Sequence, residues 1–293
     1  MNRINWDDIN LQISQATGRP FEAQDISAQG GGCINQAYQI KDGTQAYFVK
    51  LNEAGLIDMF EAEYEGLEEL RRPGAITVPR PICTGIQGRQ SYIVLEALEL
   101  SGGCDAALLG EQLARLHLTH TDRFGWHRDN TIGSTPQHND WTPDWIDFFR
   151  QQRLEFQLRL ARDQGIGSSV YDQGMKLSAV LNDFFTDYRP TASLLHGDLW
   201  SGNVSGDASG NPVIFDPAVY FGDPETDLAM TELFGGFGSR FFDAYHGIRP
   251  IDSGYETRRT LYNLYHILNH FNLFGGGYGQ QAAGMINRLL AAR

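Results

Sequence analysis

Positive charge is scarce in this chain. Lys and Arg number 23 against 36 Asp and Glu, a formal net charge of −13. That balance argues against broad nucleic-acid binding, because few cations are left to neutralise phosphates. It leaves room for a local nucleotide site. No apolar run approaches the roughly 18 residues of a membrane span. The opening Met1-Asn2-Arg3-Ile4-Asn5-Trp6-Asp7 has no apolar stretch of signal-peptide type, so a cytoplasmic protein is expected. Cysteine is rare: Cys33, Cys83 and Cys104, an odd number with no Cys-x-x-Cys pair. Neither a disulfide framework nor a structural zinc site is expected. Internal repeats and low-complexity tracts are missing. The Gly30-Gly31-Gly32 cluster is not followed by the Gly-Lys-Ser/Thr of a Walker loop.

What is present has a clear order. The length of 293 residues suits one large domain or two lobes. An amphipathic helix is predicted over 3–17, broken by Gly18-Arg19-Pro20. The stretch 25–51 reads as strand, loop, strand, strand, with Asp42-Gly43 supplying a turn. A helix over 57–71 follows, and a buried strand over 91–96. Ser101-Gly102-Gly103 marks a boundary near residue 100. From 105 the apolar period becomes helical, with Leu108, Leu109, Leu113 and Leu116 on one face. Residues 121–142 read as a long polar loop, of a length that points to function or partial order. Helices are predicted at 143–163, 170–188, 226–233, 238–246, 256–274 and 278–291, and a strand at 193–195.

Four places carry chemistry. Leu194-Leu195-His196-Gly197-Asp198-Leu199-Trp200-Ser201-Gly202-Asn203 runs from an apolar strand into a polar loop holding an acid and, five residues on, an amide. Asp216 ends the next apolar run, Val213-Ile214-Phe215. Two acids and an amide at strand ends suit proton abstraction from a hydroxyl beside one or two Mg²⁺ ions, with Asp198 as base and Asn203 and Asp216 as hard oxygen ligands. Gly30, Gly31, Gly32, Cys33, Ile34 and Asn35 form either a phosphate-cradling loop or a plain hairpin turn. Lys50 shares a strand face with Ala46 and Phe48. In the next helix Glu63 falls within the apolar arc of Phe60, Tyr64, Leu67 and Leu70 at about 100° per residue. A carboxylate on the buried side needs a partner, and Lys50 is the candidate.

Asp198 to Asn203, followed by Asp216 and Gly222-Asp223-Pro224-Glu225-Thr226-Asp227-Leu228-Ala229, resembles the small-molecule branch of protein-kinase-like phosphotransferases. The sharper resemblance is to the fructosamine/ketosamine kinase family. It rests on His196-Gly197-Asp198-Leu199-Trp200-Ser201-Gly202-Asn203, on Gly31-Gly32-Cys33-Ile34-Asn35, and on Asp129-Asn130-Thr131-Ile132-Gly133-Ser134-Thr135-Pro136-Gln137. The resemblance implies an α+β, bilobal fold. An N-lobe over 1–100 would hold a small antiparallel sheet and one main helix, and a mostly helical C-lobe would span 101–293. It implies ATP as phosphate donor, with Glu96, Ala97 and Leu98 as the hinge that meets adenine and Lys50 on the α- and β-phosphates. The acceptor it implies is the sugar 3-hydroxyl of a free or protein-bound ketosamine. Trp200 would stack on the sugar or amine, or wedge beneath the loop. Asp223 and Glu225 are expected at the acceptor mouth to attract a cationic amine, and Asp227 to brace the loop. Cys33 is either an exposed thiol able to pair two otherwise monomeric chains or a small residue in a tight turn. The rivals are an aminoglycoside- or choline-type kinase and a nucleotide-binding pseudokinase module.

Overall fold

The N-terminal third is a five-stranded antiparallel sheet in the order β1-β2-β3-β5-β4, flanked by two helices. The computed structural model describes residues 4–30 and 35–292. In chain order, α1 (Trp6–Thr17) leads into β1 (Asp25–Gln29), β2 (Gln36–Lys41) and β3 (Ala46–Glu53), then α2 (Ile57–Arg71), β4 (Pro81–Gln87) and β5 (Gln90–Glu96). The two-residue period of β3 sorts its side chains. Tyr47, Val49 and Leu51 join Ile9 and Ile13 of α1 in a core on one face of the sheet. Phe48 and Lys50 take the other face and border a cleft.

On that second face α2 packs Phe60, Leu67 and Leu70 against Ile93 and Leu95. This core runs without a break into the helices that follow. Those helices are α3 (Ala106–Leu116), α4 (Trp145–Phe148), α5 (Glu155–Asp163), α6 (Ser168–Ala179), α7 (Glu225–Leu233), α8 (Ser239–Ile248), α9 (Tyr255–Phe274) and α10 (Tyr278–Ala291). Asp105 caps α3, accepting from the N–H groups of Ala107 and Leu108 at 2.8 and 3.1 Å. No helix among the described residues is long and apolar enough to cross a membrane.

Three expectations change, the first being that the helix predicted over 170–188 stops at Ala179, where Val180 (φ −114°, ψ 16°) leaves helical geometry and a short 3₁₀ turn, Leu181–Phe184, follows. The stretch 121–142 is not all loop: β6 (Asn130–Ile132) and β7 (Thr135–Gln137) form a hairpin, turning at Gly133 with φ +63°. Strands of three residues are too short to show alternation in sequence. The helix predicted over 143–163 is interrupted by a π-helical turn, Phe149–Leu154. That turn aims Arg153 inward, over the rings of Phe148 and Tyr220 and onto the carbonyl of His138 at 2.5 Å.

The remaining strands are short and serve the cleft. β8 (Ser193–Leu195) pairs with β11 (Tyr220–Gly222), and β9 (Val204–Gly206) with β10 (Pro212–Ile214). The two pairs fix the ends of the segments 196–203 and 215–219.

Candidate active site

Lys50 enters the cleft from the centre of the sheet, on a strand held by β2 on one side and β5 on the other. Its ammonium lies 2.6 Å from Glu63 of α2 and 2.5 Å from Asp216. Burial alone would push the pKa of the lysine down; the Asp216 and Glu63 carboxylates outweigh that and hold it above its ordinary value. Lys50 therefore stays charged although only 7% of its surface is exposed. The Glu63 expectation drawn from the helical arc matches this geometry.

Asp198 sits half-buried where β8 gives way to the loop. Burial, reinforced by the nearby Asp216 charge, raises its carboxyl to about 7, against a partial offset from the Asn203 amide. Asn203 donates from Nδ2 to the Asp198 carbonyl at 2.8 Å, to Asp198 Oδ2 at 3.2 Å and to the Asp216 carbonyl at 3.4 Å. With its nitrogen so engaged, the amide oxygen is the end left for a ligand. Asp216 has φ +57°, the left-handed region that Asp tolerates better than most residues, and its carboxylate is half exposed to the cleft. These are hard oxygen donors, which fit Mg²⁺. Among the described residues no group of three or more His, Cys, Asp or Glu side chains clusters to hold a metal alone. A cation here would thus need further oxygen ligands, from water or phosphate, to complete its shell.

The loop is braced from behind by Asp227. Its carboxylate accepts from the backbone N–H groups of His196 and Gly197, both at 2.8 Å, and from His117 Nε2 at 3.2 Å. Burial would raise this carboxyl, but the hydrogen bonds it accepts, from His117 first and then from the Gly197 N–H, hold it below the usual range. His117 is buried and its pKa is lowered by desolvation, so it serves as a neutral donor, with Nδ1 turned to the Tyr245 hydroxyl at 2.8 Å. Gly197 has φ +82°, and a side chain there would meet the Ala218 carbonyl oxygen at 2.0 Å. Only glycine permits the two segments to approach so closely.

From the other side the β6–β7 hairpin holds the segment after Asp216. Gln137 Nε2 donates to the Ala218 carbonyl at 3.0 Å and Asn130 Nδ2 to the Val219 carbonyl at 2.8 Å. Tyr265 of α9 in turn donates to Gln137 Oε1 at 2.8 Å.

The segments so held border one cavity of about 840 Å³. Gly30, Asn35, Lys50, Glu63, Glu96, Ala97, Leu98, Asp198, Trp200, Asn203 and Asp216 line it. Gly31, Gly32, Cys33 and Ile34 lie outside the described residues. Asp223 and Glu225 do not belong to it, and the expected carboxylate mouth is a correction. The turn from β11 into α7 points both side chains inward. Asp223 is fully buried, accepting from the hydroxyls of Tyr188 and Tyr262 at 2.8 and 2.5 Å. Glu225 is ion-paired with Arg258 at 2.7 Å, both side chains 4% exposed. These acids hold α7 to α9, and a buried, paired carboxylate has no charge to offer a substrate.

In their place the outer wall is a row of rings. Trp200 meets Phe234 edge-on at 6.0 Å, Phe234 lies 4.9 Å from His270, and His270 lies 5.1 Å from Tyr278. His266 and Asn269 of α9 complete this side, and Asn269 Nδ2 donates to the Ile132 carbonyl of the hairpin at 3.3 Å. The helix predicted at 256–274 does not single out these residues. The available signal was His266-x-x-x-His270, two polar rings one helical turn apart.

The comparisons decide the family. The sequence profile described as fructosamine kinase matches residues 5–292. This chain belongs to the fructosamine kinase family. Within that family it is 51% identical over 288 residues to a protein of Synechocystis sp. named a probable ketoamine kinase, covering 97% of each chain. It is 43% identical over 277 residues to the chloroplastic protein-ribulosamine 3-kinase of Arabidopsis thaliana, covering 93% of this chain and 85% of the other. A crystal structure from Haemophilus somnus assigned as a fructosamine-3-kinase superposes with a TM-score of 0.89 at 30% identity, over 97% of both chains. At 17% identity and a TM-score of 0.63, the choline kinase of Streptococcus pneumoniae shares the fold. The fructosamine kinase fold is thus the α+β, protein-kinase-like one expected from Asp198, Asn203 and Asp216, and membership makes this chain a phosphotransferase.

Proposed function

We propose that this chain transfers the γ-phosphoryl group of ATP to a sugar hydroxyl of a ketosamine, in the manner of a fructosamine or ribulosamine 3-kinase. The observation that carries the reading is the convergence of Lys50, Asp198, Asn203 and Asp216 on one cavity, from three separate stretches of chain.

In this reading Asp198 accepts the hydroxyl proton as the sugar oxygen attacks phosphorus. The new O–P bond forms as the bond from the γ-phosphorus to the β–γ bridging oxygen breaks, and ADP leaves. The carboxylate orients the hydroxyl and takes its proton late in the transfer. Lys50, steadied by Glu63, pairs with the α- and β-phosphates, and Gly30 and Asn35 flank the loop that would cover them. Adenine lies toward Glu96, Ala97 and Leu98, beside Phe48 and Leu95. Asn203 and Asp216 would hold Mg²⁺, which when bound offsets the negative charge of the phosphates. Trp200 and the rings beside it receive the acceptor. The division near residue 100 then separates a phosphate-holding lobe from a catalytic one. Cys83 and Cys104 are both free thiols, which suits a reducing, cytoplasmic setting.

The test is a product-identified kinase assay with fructosyl-lysine, ribulosyl-lysine, kanamycin and choline. Phosphorylated ketosamine is the expected product. ATP consumption with choline or kanamycin alone would end the reading. Asp198→Asn should lower kcat by about 10² to 10⁴ with ATP affinity retained.

A further inference from the structure

His266 is an anomaly on α9. Its neighbours Tyr265, Ile267 and Leu268 are buried, as a packed helix demands, and His266 is itself only 4% exposed. A buried polar ring ordinarily has a hydrogen-bond partner. Among the described residues neither ring nitrogen of His266 has one, and Nδ1 is sealed from solvent. Its sister His270 differs: there Nδ1 bonds the His266 carbonyl at 2.8 Å. Other buried histidines are also satisfied. His117 has Tyr245 and Asp227, and His196 has the Phe215 carbonyl at 3.0 Å. An imidazole kept for packing alone would be replaceable by Leu or Phe at no cost in unmade bonds.

The exception borders the cavity that holds Asp198, on the side away from Glu96 and the sheet. Burial, with His270 close by, pushes its pKa down to about 3, so the ring is neutral at physiological pH. A neutral imidazole offers one N–H and one lone pair. That pairing suits an alcohol, which both donates and accepts, and gives nothing in particular to a cation or a phosphate.

We propose that His266 is a specificity-determining residue, which reads a non-reacting hydroxyl of the acceptor sugar by a hydrogen bond from its imidazole. The inference rests on the ketosamine-kinase reading and deepens it. Nδ1 is sealed, so a polyol acceptor would bond the ring at Nε2, the nitrogen not sealed from solvent, and an acceptor lacking that hydroxyl would leave Nε2 unpaired. Sites built this way discriminate against the deoxy analogue more sharply than an apolar wall can.

The experiment compares the unaltered chain, His266→Phe and His266→Gln on fructosyl-lysine and on its 4-, 5- and 6-deoxy analogues. KM for ATP is read in parallel. For the unaltered chain, one deoxy analogue should lose about tenfold in kcat/KM, the worth of one neutral hydrogen bond. His266→Phe should lose about tenfold on the full sugar, chiefly in KM, and nothing further on that analogue. Its ATP KM should not move. His266→Gln, whose amide offers a donor and an acceptor near the position of Nε2, should recover part of the loss, and it carries the test if the Phe variant does not fold. The proposal is overturned if His266→Phe matches the unaltered chain on every sugar, or if it loses equally on all of them and on ATP. If the unaltered chain turns over no ketosamine, the parent reading has failed and this inference falls with it. Turnover that is indifferent to His266 overturns the inference alone.

Discussion

The ammonium of Lys50 lies 2.5 Å from the Asp216 carboxylate, a residue 166 positions further along the chain. Glu63 claims the same ammonium at 2.6 Å. Two carboxylates thus share one cation, and Asp198 adds a third acid to the same cavity. The surplus of negative charge is what would make this end of the cleft receptive to Mg²⁺. Lys50→Met should lower kcat/KM by at least about a hundredfold, the usual cost of removing a positioned charge from a transferring phosphate. Asp216→Asn should abolish the rise in Tm that Mg²⁺ with a non-hydrolysable ATP analogue gives the unaltered chain. Calorimetry with and without the metal checks the second. An undiminished rise in the variant would remove Asp216 from the metal site.

Gly197 and Ala218 touch through backbone alone. Gly197→Ala puts a methyl group where the Ala218 carbonyl oxygen stands, at a φ of +82° that disfavours any side chain. The expected cost is about 2 to 4 kcal/mol of stability. Activity should fall further than stability explains, because the displaced segment carries Asp198. Denaturant melts and kcat measured on the same preparation separate the two effects.

The correction at Asp223 and Glu225 makes its own prediction. Arg258→Met would leave Glu225 buried without its partner, at an expected cost of about 3 to 5 kcal/mol. The acceptor KM of whatever protein folds should be unchanged, since neither acid lines the cavity. A selective rise in KM for cationic acceptors would return these acids to the substrate site.

The stability of His266→Phe relative to the unaltered chain should depend on pH. The folded pKa of His266 is near 3, below that of an ordinary histidine, so between these values the unfolded chain binds more protons at this position. Its contribution is fully present above about pH 6.5 and is lost as pH falls toward 3, at about 1.4 kcal/mol per unit. The phenylalanine variant has no such penalty. Its stability should therefore gain on the unaltered chain by about 2 kcal/mol between pH 7 and pH 5, read from urea midpoints. A difference that stays constant with pH would mean that His266 is not held neutral.

Much of this could be read from residues in line. Lys50 and Glu63 were paired by two periodicities, two residues for the strand and 3.6 for the helix, which fixed the facing sides before any packing was known. Asp198, Asn203 and Asp216 were legible because short loops at strand ends keep close spacings intact. Helix α2 and strand β8 fall where local pattern put them.

What the chain alone could not decide depends on long-range packing. Asp223 and Glu225 look like exposed acids beside a catalytic segment. Arg258, Tyr188 and Tyr262 turn them inward, and all three come from distant stretches. Likewise, the β6–β7 hairpin is too short to announce itself, and it is held by Gln137 and Asn130 bonding carbonyls some eighty to ninety positions away. Local sequence set which groups have chemistry to offer, because periodicity and turn residues act over a few positions. The tertiary structure chose which of them face the cleft, because burial and pairing are properties of neighbours that only folding brings together.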